Sequence, residues 1–568
     1  MKRLKMKKYN GASVLLKSLL CQNVEIIFGY PGGAIMPIYD ALYDYSDSLK
    51  HILTRHEQGA IHAAEGYARV TGKTGVCFAT SGPGATNLLT GIADAMLDSV
   101  PIVCITGQVS SNLLGTDAFQ EANIISLTTS ITKWNFQITK ANEIPYAVAK
   151  AFFIAQNGRP GPVLLDITKD AQFEFMEYVK ESFFFEKNKK WHPFFNANDI
   201  KKAAELIQQA KKPYMLVGHG VSIANAEKEL LEFAEKTDIP VACTLLGLSA
   251  FPCDHSLYVG MLGMHGNYGA NILTNEADLI IAIGMRFDDR VTGNLNTYAK
   301  QAKIIHIEID PTEINKNVFC DVPLVGDAKN ILKLLLPEVR NNKHNLWMQE
   351  FRKCYEKEYH SIIKNEFFPN DNQNLKMAQV INCLSELTNG SAVIVTDVGQ
   401  HQMSAARYYK FKTKNSMITS GGLGTMGFAL PAAIGAKFGA KDREVIAIIG
   451  DGGFQMNIQE LGVIMQEKIP VKIIILNNSF LGMVRQWQEL FFENRLSFTH
   501  MQNPDFIQIV KGYGIKAKKA VNKEQLEEYM REMILSKESY FLEVSVEKEE
   551  NIFPMIPSGA GVSDVRLS

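Results

Sequence analysis

Short runs of apolar, mostly β-branched residues recur along the chain, and each run ends in glycine or other turn-forming residues. Runs of this kind are typical of buried strands in a parallel sheet. Two of the clearest are residues 444–449 and 471–476, and the segment between them predicts a helix over 457–468. Strands that alternate with helices in this way predict an α/β protein with doubly wound parallel sheets.

The rhythm of strands and helices divides the chain into three predicted domains, residues 1–180, 196–337 and 376–568. Residues 181–195 mix aromatics with lysines without a helix or strand period, which predicts a linker. Residues 338–374 are polar and helix-prone, which predicts a connector. The further predicted strands are 24–28, 75–80, 101–106, 162–167, 214–217, 277–283, 303–309, 392–396 and 540–546.

Composition narrows the classes of protein further. A chain of 568 residues with 46% hydrophobic residues and a net charge of −1 gives no sign of nucleic-acid binding or of a membrane partner. The eight cysteines are scattered without a C-x-x-C pair, which favours a reducing, cytoplasmic setting. The histidines lack zinc-site spacing. Asn10 and Ser13 predict a capped first helix behind a short basic tail, rather than a signal peptide.

Candidate chemistry lies at the ends of the two clearest strands. Gly450, Asp451, Gly452 and Gly453 follow the first strand, and Asn478 follows the second. A carboxylate and an amide oxygen form part of the shell that Mg²⁺ prefers, and glycines let backbone N–H groups approach a diphosphate. A plain strand-to-helix turn is the alternative, but the amide at the neighbouring strand end favours a metal–diphosphate site.

A Gly-Asp-Gly motif followed one βαβ unit later by Asn-Asn resembles the thiamine diphosphate-dependent enzymes. Other stretches narrow the resemblance to the acetolactate synthase (acetohydroxyacid synthase) large, catalytic subunits, and together they cover nearly the whole chain. These stretches are YPGGA at 30–34, RHEQGA at 55–60, SGPGATN at 81–87, GRPGPV at 158–163, MRFDDR at 285–290 and QW at 486–487.

The resemblance implies three domains of the thiamine diphosphate-dependent decarboxylase type: an N-terminal pyrimidine-binding domain, a central FAD-binding domain and a C-terminal diphosphate- and Mg²⁺-binding domain. It implies that Glu57 drives the cofactor to its imino form, that Gln120 reaches the reacting centre and that Lys169 lies at the access channel. The implied metal ligands are Asp451, Asn478 and the backbone carbonyl of Phe480, where many relatives carry an acidic side chain.

The resemblance also implies the remaining site residues. Met426 holds the two cofactor rings in a bent conformation, and Trp487 favours 2-ketobutyrate as second substrate. Further thiamine diphosphate contacts are Gly399, Gln400, His401, Gly424, Gly450, Gly452, Gly453 and Met483. The implied FAD contacts are Arg159, Met264, His265, Gly266, Gly284, Arg286, Glu308, Asp310 and Asp327, and the implied substrate contacts are Phe119, Met264, Arg290, Met483 and Trp487.

The residues by themselves leave several of these roles open. Arg290 fits a bidentate contact to a 2-keto acid carboxylate, and equally an exposed ion pair with Asp288 or Asp289. Gly218-x-Gly220 is a weak dinucleotide signal, because the third glycine is missing. Met426, Met483 and Trp487 have ordinary packing as their alternative role.

The implied function is decarboxylation of pyruvate on thiamine diphosphate and transfer of the hydroxyethyl unit to a second pyruvate or to 2-ketobutyrate. This reaction is the first common step of valine, leucine and isoleucine biosynthesis. The nearest alternative is a related enzyme such as pyruvate oxidase, or the flavin-free catabolic acetolactate synthase. Glyoxylate carboligase is opposed by Glu57. A non-catalytic scaffold is opposed by Glu57, Asp451 and Asn478 together, and a nicotinamide dehydrogenase by the incomplete glycine fingerprint.

Partners follow from the same resemblance. Glu57 lies in the first predicted domain and Asp451 in the third, and in the family these two halves of a site come from different chains. We therefore expect a homodimer or tetramer with shared active sites. A separate small regulatory subunit is possible in this family, and no nucleic acid or membrane is expected.

Overall fold

The structure is a computed structural model that describes residues 8–178, 195–369 and 374–568. It contains three six-stranded sheets, and every strand pairing within them is parallel. This confirms the predicted fold class. The predicted linker at 181–195 lies outside the described residues apart from Phe195, which packs against the central core.

The first sheet has the strand order β3-β2-β4-β5-β7-β6, and β1 pairs with β8 in a small antiparallel ribbon. Asn10 caps α1 by accepting a hydrogen bond from the Ser13 backbone N–H, as predicted. The strands are β1 (Lys8–Asn10), β2 (Ile26–Gly29), β3 (Lys50–Leu53), β4 (Gly75–Ala79), β5 (Ile102–Gln108), β6 (Trp134–Ile138), β7 (Pro162–Thr168) and β8 (Phe175–Glu177). The helices are α1 (Gly11–Cys21), α2 (Met36–Leu42), α3 (Glu57–Thr71), α4 (Pro83–Thr86), α5 (Leu89–Asp98), α6 (Ile124–Thr128), α7 (Ile144–Gln156) and α8 (Lys169–Phe173).

The central sheet has the order β11-β10-β9-β12-β13-β14. Residues 345–367 of the predicted connector are helical, and they pack Trp347 and Phe351 into the central core. The strands are β9 (Pro213–Val217), β10 (Val241–Cys243), β11 (Tyr258–Met261), β12 (Leu279–Ile283), β13 (Lys303–Glu308) and β14 (Val322–Val325). The helices are α9 (Ala197–Gln209), α10 (His219–Ile223), α11 (Glu227–Thr237), α12 (Tyr268–Ile272), α13 (Asp289–Thr292), α14 (Ala328–Leu335), α15 (Asn345–Glu358) and α16 (Lys364–Phe367).

The third sheet has the order β16-β15-β17-β18-β20-β19. The strands are β15 (Val393–Thr396), β16 (Met417–Thr419), β17 (Val445–Gly450), β18 (Lys472–Asn477), β19 (Lys516–Ala520) and β20 (Tyr540–Ser545). The helices are α17 (Met377–Leu387), α18 (Gln400–Tyr408), α19 (Ala429–Gly439), α20 (Asp451–Met456), α21 (Leu461–Glu467), α22 (Gly482–Phe491), α23 (Phe506–Gly512) and α24 (Lys523–Leu535).

The single helix predicted over 457–468 is wrong in its start and its continuity. The helix begins at Asp451, directly after β17, and breaks at Asn457 before α21. The cause is a side-chain contact, because Asn457 Nδ2 donates to the Gly427 carbonyl at 2.7 Å. Asn457 therefore leaves the helical path and anchors the loop that precedes α19.

The first and third domains share one apolar core, in which α3 packs against α19. Two glycines allow the close approach of these helices. A Cβ on Gly66 would lie 1.9 Å from the Ala432 carbonyl oxygen, and a Cβ on Gly435 would lie 1.7 Å from the Ala63 carbonyl oxygen. Since real Cβ atoms do not approach oxygen so closely, any larger residue would push the two domains apart.

The C-terminal tail returns to the central domain, although the sequence pattern placed it in the third. The Ile556 N–H donates to the Met264 carbonyl at 2.8 Å, and Gly293 bridges to Gly561. The tail thus reaches a loop that the sequence assigned to the binding site. Across the described ranges, we find no helix both long and apolar enough to cross a bilayer.

Candidate active site

A cavity of about 1020 Å³ lies between the central domain and the loops of the third domain. Its walls also include Arg159 and neighbouring residues of the first domain. The cavity brings together many of the predicted site residues. These are Arg159, Met264, His265, Gly284, Arg286, Arg290, Glu308, Asp327, Gly399, Gly424, Met426, Met483 and Trp487.

The side of the cavity that holds the predicted FAD contacts carries a charged cluster around Arg159. Its Nη1 lies 3.2 Å from Glu313 Oε1 and 3.6 Å from Asp310 Oδ2, and its Nε donates to Ser99 Oγ at 2.8 Å. Glu308 folds back to accept the N–H groups of Ile309 and Asp310. These contacts hold Arg159 at the cavity wall, while Asp310 itself stands behind the lining.

Burial changes the protonation of this wall. The pKa of Glu308 is raised to about 7, chiefly by burial, and its backbone hydrogen bonds oppose the rise. Glu308 is therefore only partly ionised at neutral pH. A cavity of this volume with a few convergent polar groups is of the size that holds a cofactor, so the residues present fit a flavin dinucleotide.

The side of the cavity that holds the predicted substrate contacts includes a loosely paired cation, Arg290. The Arg290 side chain is 60% exposed, its Nη1 lies 3.8 Å from Asp289 Oδ2, and the same nitrogen lies 3.8 Å from Met264 Sδ. An exposed pair at that distance contributes little to stability. Asp288 instead caps α13 through the N–H groups of Arg290 and Val291. Arg290 thus has a guanidinium available for a carboxylate.

Asp451 and Asn478 lie at the ends of adjacent strands, as predicted. Gly450 pairs with Leu476 in the parallel ladder, which places Asp451 beside the end of β18. Asp451 is 1% exposed, and burial raises its pKa to about 6 although Asn503 Nδ2 donates to its Oδ2 at 2.6 Å. Asn478 Oδ1 accepts the Phe480 N–H at 3.1 Å. A carboxylate and an amide oxygen so placed fit a Mg²⁺ ion, which would also restore the charge on Asp451.

Open polar atoms lie beside these strand ends. His401 packs under two glycines, since a Cβ on either Gly399 or Gly450 would lie 2.9 Å from its ring. Burial lowers the pKa of His401 to about 4, so the ring is neutral. Its Nε2 and the Thr425 hydroxyl are buried and lack a hydrogen-bond partner in the described part of the chain. Orphaned polar atoms next to glycine backbone fit a diphosphate group.

Glu57 and Gln120 lie near each other but outside the cavity wall. Glu57 begins α3 and its Oε2 accepts Asn87 Nδ2 at 3.0 Å. A Cβ on Gly84 would lie 3.1 Å from Glu57 Oε1, and a Cβ on Gly82 would lie 2.9 Å from the Gln120 carbonyl. Gln120 has a φ of 59°, a left-handed conformation. The first domain thus presents its own part of a site.

Several predicted residues therefore do not line the cavity of a single chain. Phe119 is 88% exposed, and Lys169 begins α8 beside Asp170, whose carboxylate binds Ser111. The others outside the wall are Glu57, Gln120, Gly266, Asp310, Gln400, His401, Gly450, Asp451, Gly452, Gly453, Asn478 and Phe480.

Two functional side chains had no signal in the sequence. Asn503 binds Asp451, and Asp397 accepts the Gly427 N–H at 3.0 Å and so holds the turn after Met426. Each is a polar residue in an ordinary context and is far along the chain from its partner. Only the three-dimensional arrangement of the strand ends brings Asn503 and Asp397 to their partners.

His62, Glu65 and Asp94 form a buried group whose spacing suits a metal ion. The Arg69 guanidinium lies 3.6 Å from Glu65 Oε2 and 2.7 Å from Asp98 Oδ2. A fixed cation at this position opposes a second one. Arg69 balances the negative charge of this group. The group also joins the first and third domains, because Ser420 Oγ donates to Asp94 Oδ1 at 2.8 Å.

Comparison with known protein families agrees with this geometry domain by domain. The N-terminal TPP binding domain of thiamine pyrophosphate enzymes matches residues 9–127, the central domain matches 200–335, and the C-terminal TPP binding domain matches 397–544. The fold and the site therefore define a thiamine pyrophosphate enzyme with all three domains.

Comparison with curated proteins narrows this class. The chain is 46% identical over 559 residues to the acetolactate synthase isozyme 2 large subunit of Escherichia coli, covering 98% of this chain and 99% of that protein. It is 46% identical over 574 residues to a probable acetolactate synthase large subunit of Methanocaldococcus jannaschii, covering 98% and 95%. It is 44% identical over 585 residues to the acetolactate synthase large subunit of Haemophilus influenzae, covering 99% of both. The chain belongs to the family of acetolactate synthase large subunits.

Proposed function

We propose that the chain is a catalytic subunit that decarboxylates pyruvate and joins the remaining two-carbon unit to a second pyruvate or to 2-ketobutyrate. The products are 2-acetolactate and 2-aceto-2-hydroxybutyrate, and the reaction serves branched-chain amino-acid synthesis in the cytoplasm. The observation that carries the proposal is a cavity lined by Arg290 and Trp487 together with Met426 and Met483. The arrangement supports a carboxylate binder and an apolar pocket beside the predicted cofactor position.

Three cofactors belong to the proposal. Thiamine diphosphate, when bound, supplies a nucleophilic carbon that adds to the 2-keto group, and its ring stabilises the negative charge left by loss of CO₂. Asp451, Asn478 and the Phe480 carbonyl would hold Mg²⁺, with the diphosphate near His401. FAD would bind in the central part of the cavity, next to Arg159.

Glu57 has the central chemical role in this proposal. Its carboxyl group would hold a proton at the pyrimidine nitrogen of the cofactor, since it is 9% exposed and anchored by Asn87. Removing water from such a contact strengthens it. Gln120 would face the reacting carbon from the same surface of the first domain.

Arg290 and Trp487 would select the substrates. Arg290 pairs only loosely with Asp289, at 3.8 Å and exposed, and its guanidinium suits the carboxylate that every 2-keto acid carries. Trp487 packs against Phe491 with ring centroids 5.2 Å apart and ring planes tilted by 50°, which fixes the indole at the cavity wall. An apolar wall favours the additional methyl group of 2-ketobutyrate by about 1–3 kcal/mol.

The proposed assembly is a homodimer, or a tetramer made of two such dimers, in which each site is shared. The support is that Glu57 and Gln120 do not line the cavity that contains Met426 within one chain. A second copy related by a two-fold axis would bring its first domain to this cavity. The term large subunit in the names of the relatives supports a small regulatory partner as well.

A carboligation assay tests the proposed function. Purified protein with pyruvate, thiamine diphosphate, Mg²⁺ and FAD should release CO₂ and form acetolactate without consuming oxygen. Consumption of oxygen with formation of peroxide would instead identify a pyruvate oxidase. Omission of Mg²⁺ should abolish product formation, whereas a protein that forms neither product under complete conditions would refute the proposal.

A further inference from the structure

A buried ion pair joins the connector helix to the third domain. Arg407 Nη2 lies 2.7 Å from Glu358 Oε1, and both side chains are only 1% exposed. Arg407 belongs to the last turn of α18. Glu358 is the last residue of α15, and a π-helical turn, Tyr359–Ile363, follows it. Since π-helical turns are rare and frequent at functional sites, this junction invites a functional explanation.

Desolvation makes a stabilising role alone a poor explanation. Transferring two charges out of water costs several kcal/mol per ion, and well-packed apolar residues often serve stability as well or better. We therefore expect a buried pair of this kind where its other hydrogen bonds hold a further segment of the chain in place.

Apart from the bond that Arg407 Nη2 donates to the Tyr408 hydroxyl at 3.3 Å, the remaining hydrogen bonds of the pair fall where one loop, residues 262–267, joins β11 to α12. Arg407 Nη1 donates to the Gly266 carbonyl at 3.3 Å. Glu358 Oε1 accepts Asn267 Nδ2 at 3.0 Å, and its Oε2 accepts the Tyr268 N–H at 2.7 Å. The two side chains thus hold three successive residues, the last two of this loop and the first of α12.

The opposite side of the loop forms part of the cavity. Met264 and His265 line it, and the Met264 N–H donates to the Arg290 carbonyl at 2.8 Å. The start of α18 lines the same cavity through Gln402 and Met403. One helix, α18, therefore carries both the cavity residues Gln402 and Met403 and the ion-pair residue Arg407. At about 1.5 Å per residue, these positions are separated by little more than one helical turn.

We propose that Glu358 and Arg407 are positioning residues, which hold the loop at 262–267 in the conformation that binds the flavin and sets the place of Arg290. This inference rests on the proposed function, because it takes the cavity to be the flavin site. It assigns to the connector a task beyond joining two domains. Loss of the pair should therefore weaken flavin binding far more than it weakens thiamine diphosphate binding.

The test uses the double variant Glu358→Met/Arg407→Met, which removes both charges and leaves neither buried alone. Flavin-free protein is titrated with FAD by flavin fluorescence, and separately with thiamine diphosphate and Mg²⁺ by tryptophan fluorescence. We expect the dissociation constant for FAD to rise at least tenfold and that for thiamine diphosphate to change less than threefold. The conservative variants Glu358→Gln and Arg407→Lys should lie between wild type and the double variant.

A matched control lies on α15, the helix that ends at Glu358. Glu350 and Lys353 form an exposed pair at 2.8 Å, so Glu350→Met/Lys353→Met should leave the FAD affinity unchanged. An FAD dissociation constant within twofold of wild type in the double variant and in both conservative variants would overturn the inference. Equal losses of affinity for both cofactors would also overturn it, since they indicate general destabilisation. A wild-type protein that binds no FAD would refute the flavin part of the proposed function itself.

Discussion

Gln400 Nε2 donates to Gln486 Oε1 at 3.0 Å, and this contact ties the start of α18 to α22. The amide of Gln486 is fully used, because it also accepts the Ile552 N–H at 2.9 Å and donates to the Ile552 carbonyl at 3.1 Å. Asn478 Nδ2 approaches Gln400 Oε1 at 3.4 Å. A continuous polar chain therefore runs from a predicted metal ligand to the residue next to Trp487.

Gln486→Met should misplace Trp487 while keeping the volume of the side chain. The substitution leaves the buried Ile552 N–H and carbonyl without partners, which costs about 1–3 kcal/mol. We expect a lower yield of 2-aceto-2-hydroxybutyrate relative to acetolactate when pyruvate and 2-ketobutyrate compete. Gln488→Met on the same helix is the control, since Gln488 binds only Ser497 near the surface. An identical change in the product ratio for both variants would contradict this account.

Glu57→Gln should retain cofactor affinity and lose most activity. The amide preserves the shape of the side chain and its contact with Asn87, but it cannot hold a proton for the pyrimidine ring. Loss of a positioned acid–base group lowers kcat about 10²–10⁴-fold. Steady-state rates together with a thiamine diphosphate titration measure both properties, and turnover near that of wild type would exclude this role for Glu57.

Trp487→Leu should lower the preference for 2-ketobutyrate and leave decarboxylation of pyruvate largely intact. The indole lines the cavity and is fixed by its contact with Phe491, whereas leucine leaves a wider pocket. The free-energy difference between binding 2-ketobutyrate and binding pyruvate is expected to be about 1–3 kcal/mol, the range for one methyl group. A mixed-substrate assay measures the ratio of products, and an unchanged ratio would reduce Trp487 to a packing residue.

Glu65→Gln should flatten the dependence of stability on pH. Burial raises the pKa of Glu65 from 4.5 to about 8 in the folded protein, so the folded state binds this proton more tightly than the unfolded chain. The contribution of Glu65 to the free energy of unfolding is then largest below about pH 4.5, and it falls as pH rises toward about 8, by at most about 1.4 kcal/mol per unit. Denaturant midpoints across this range should decline less in the variant, and parallel curves would show that Glu65 is ionised in the fold.

Much of the fold follows from local patterns in the sequence. Val445–Gly450 and Lys472–Asn477 form where β-branched runs predicted strands, because buried parallel strands need apolar residues on both faces. Asp451 and Asn478 could be placed side by side since parallel strands end at one edge of a sheet. Local pattern was insufficient at Asn457, where a distant carbonyl redirects the side chain and breaks the predicted helix.

The contacts that hold the site residues in place could not be predicted from local sequence patterns. Gln400 binds the backbone of Glu550, and Arg407 binds Glu358, in each case across separate elements. No periodicity links these positions, since the contacts depend on how the domains dock. The close approach of Gly66 to Ala432 likewise appears in the sequence only as a glycine within a helix.

The central claim is a thiamine diphosphate site built from the first domain of one copy and the third domain of another. The direct measurement is acetolactate formation by mixtures of two inactive variants, Glu57→Gln and Asp451→Ala, that are unfolded and refolded together. In a mixed dimer one site collects both defects and the other collects neither. Random mixing of two-fold dimers should therefore restore about a quarter of the wild-type activity, whereas confirmed heterodimers with no recovery would show that each site is built within a single chain.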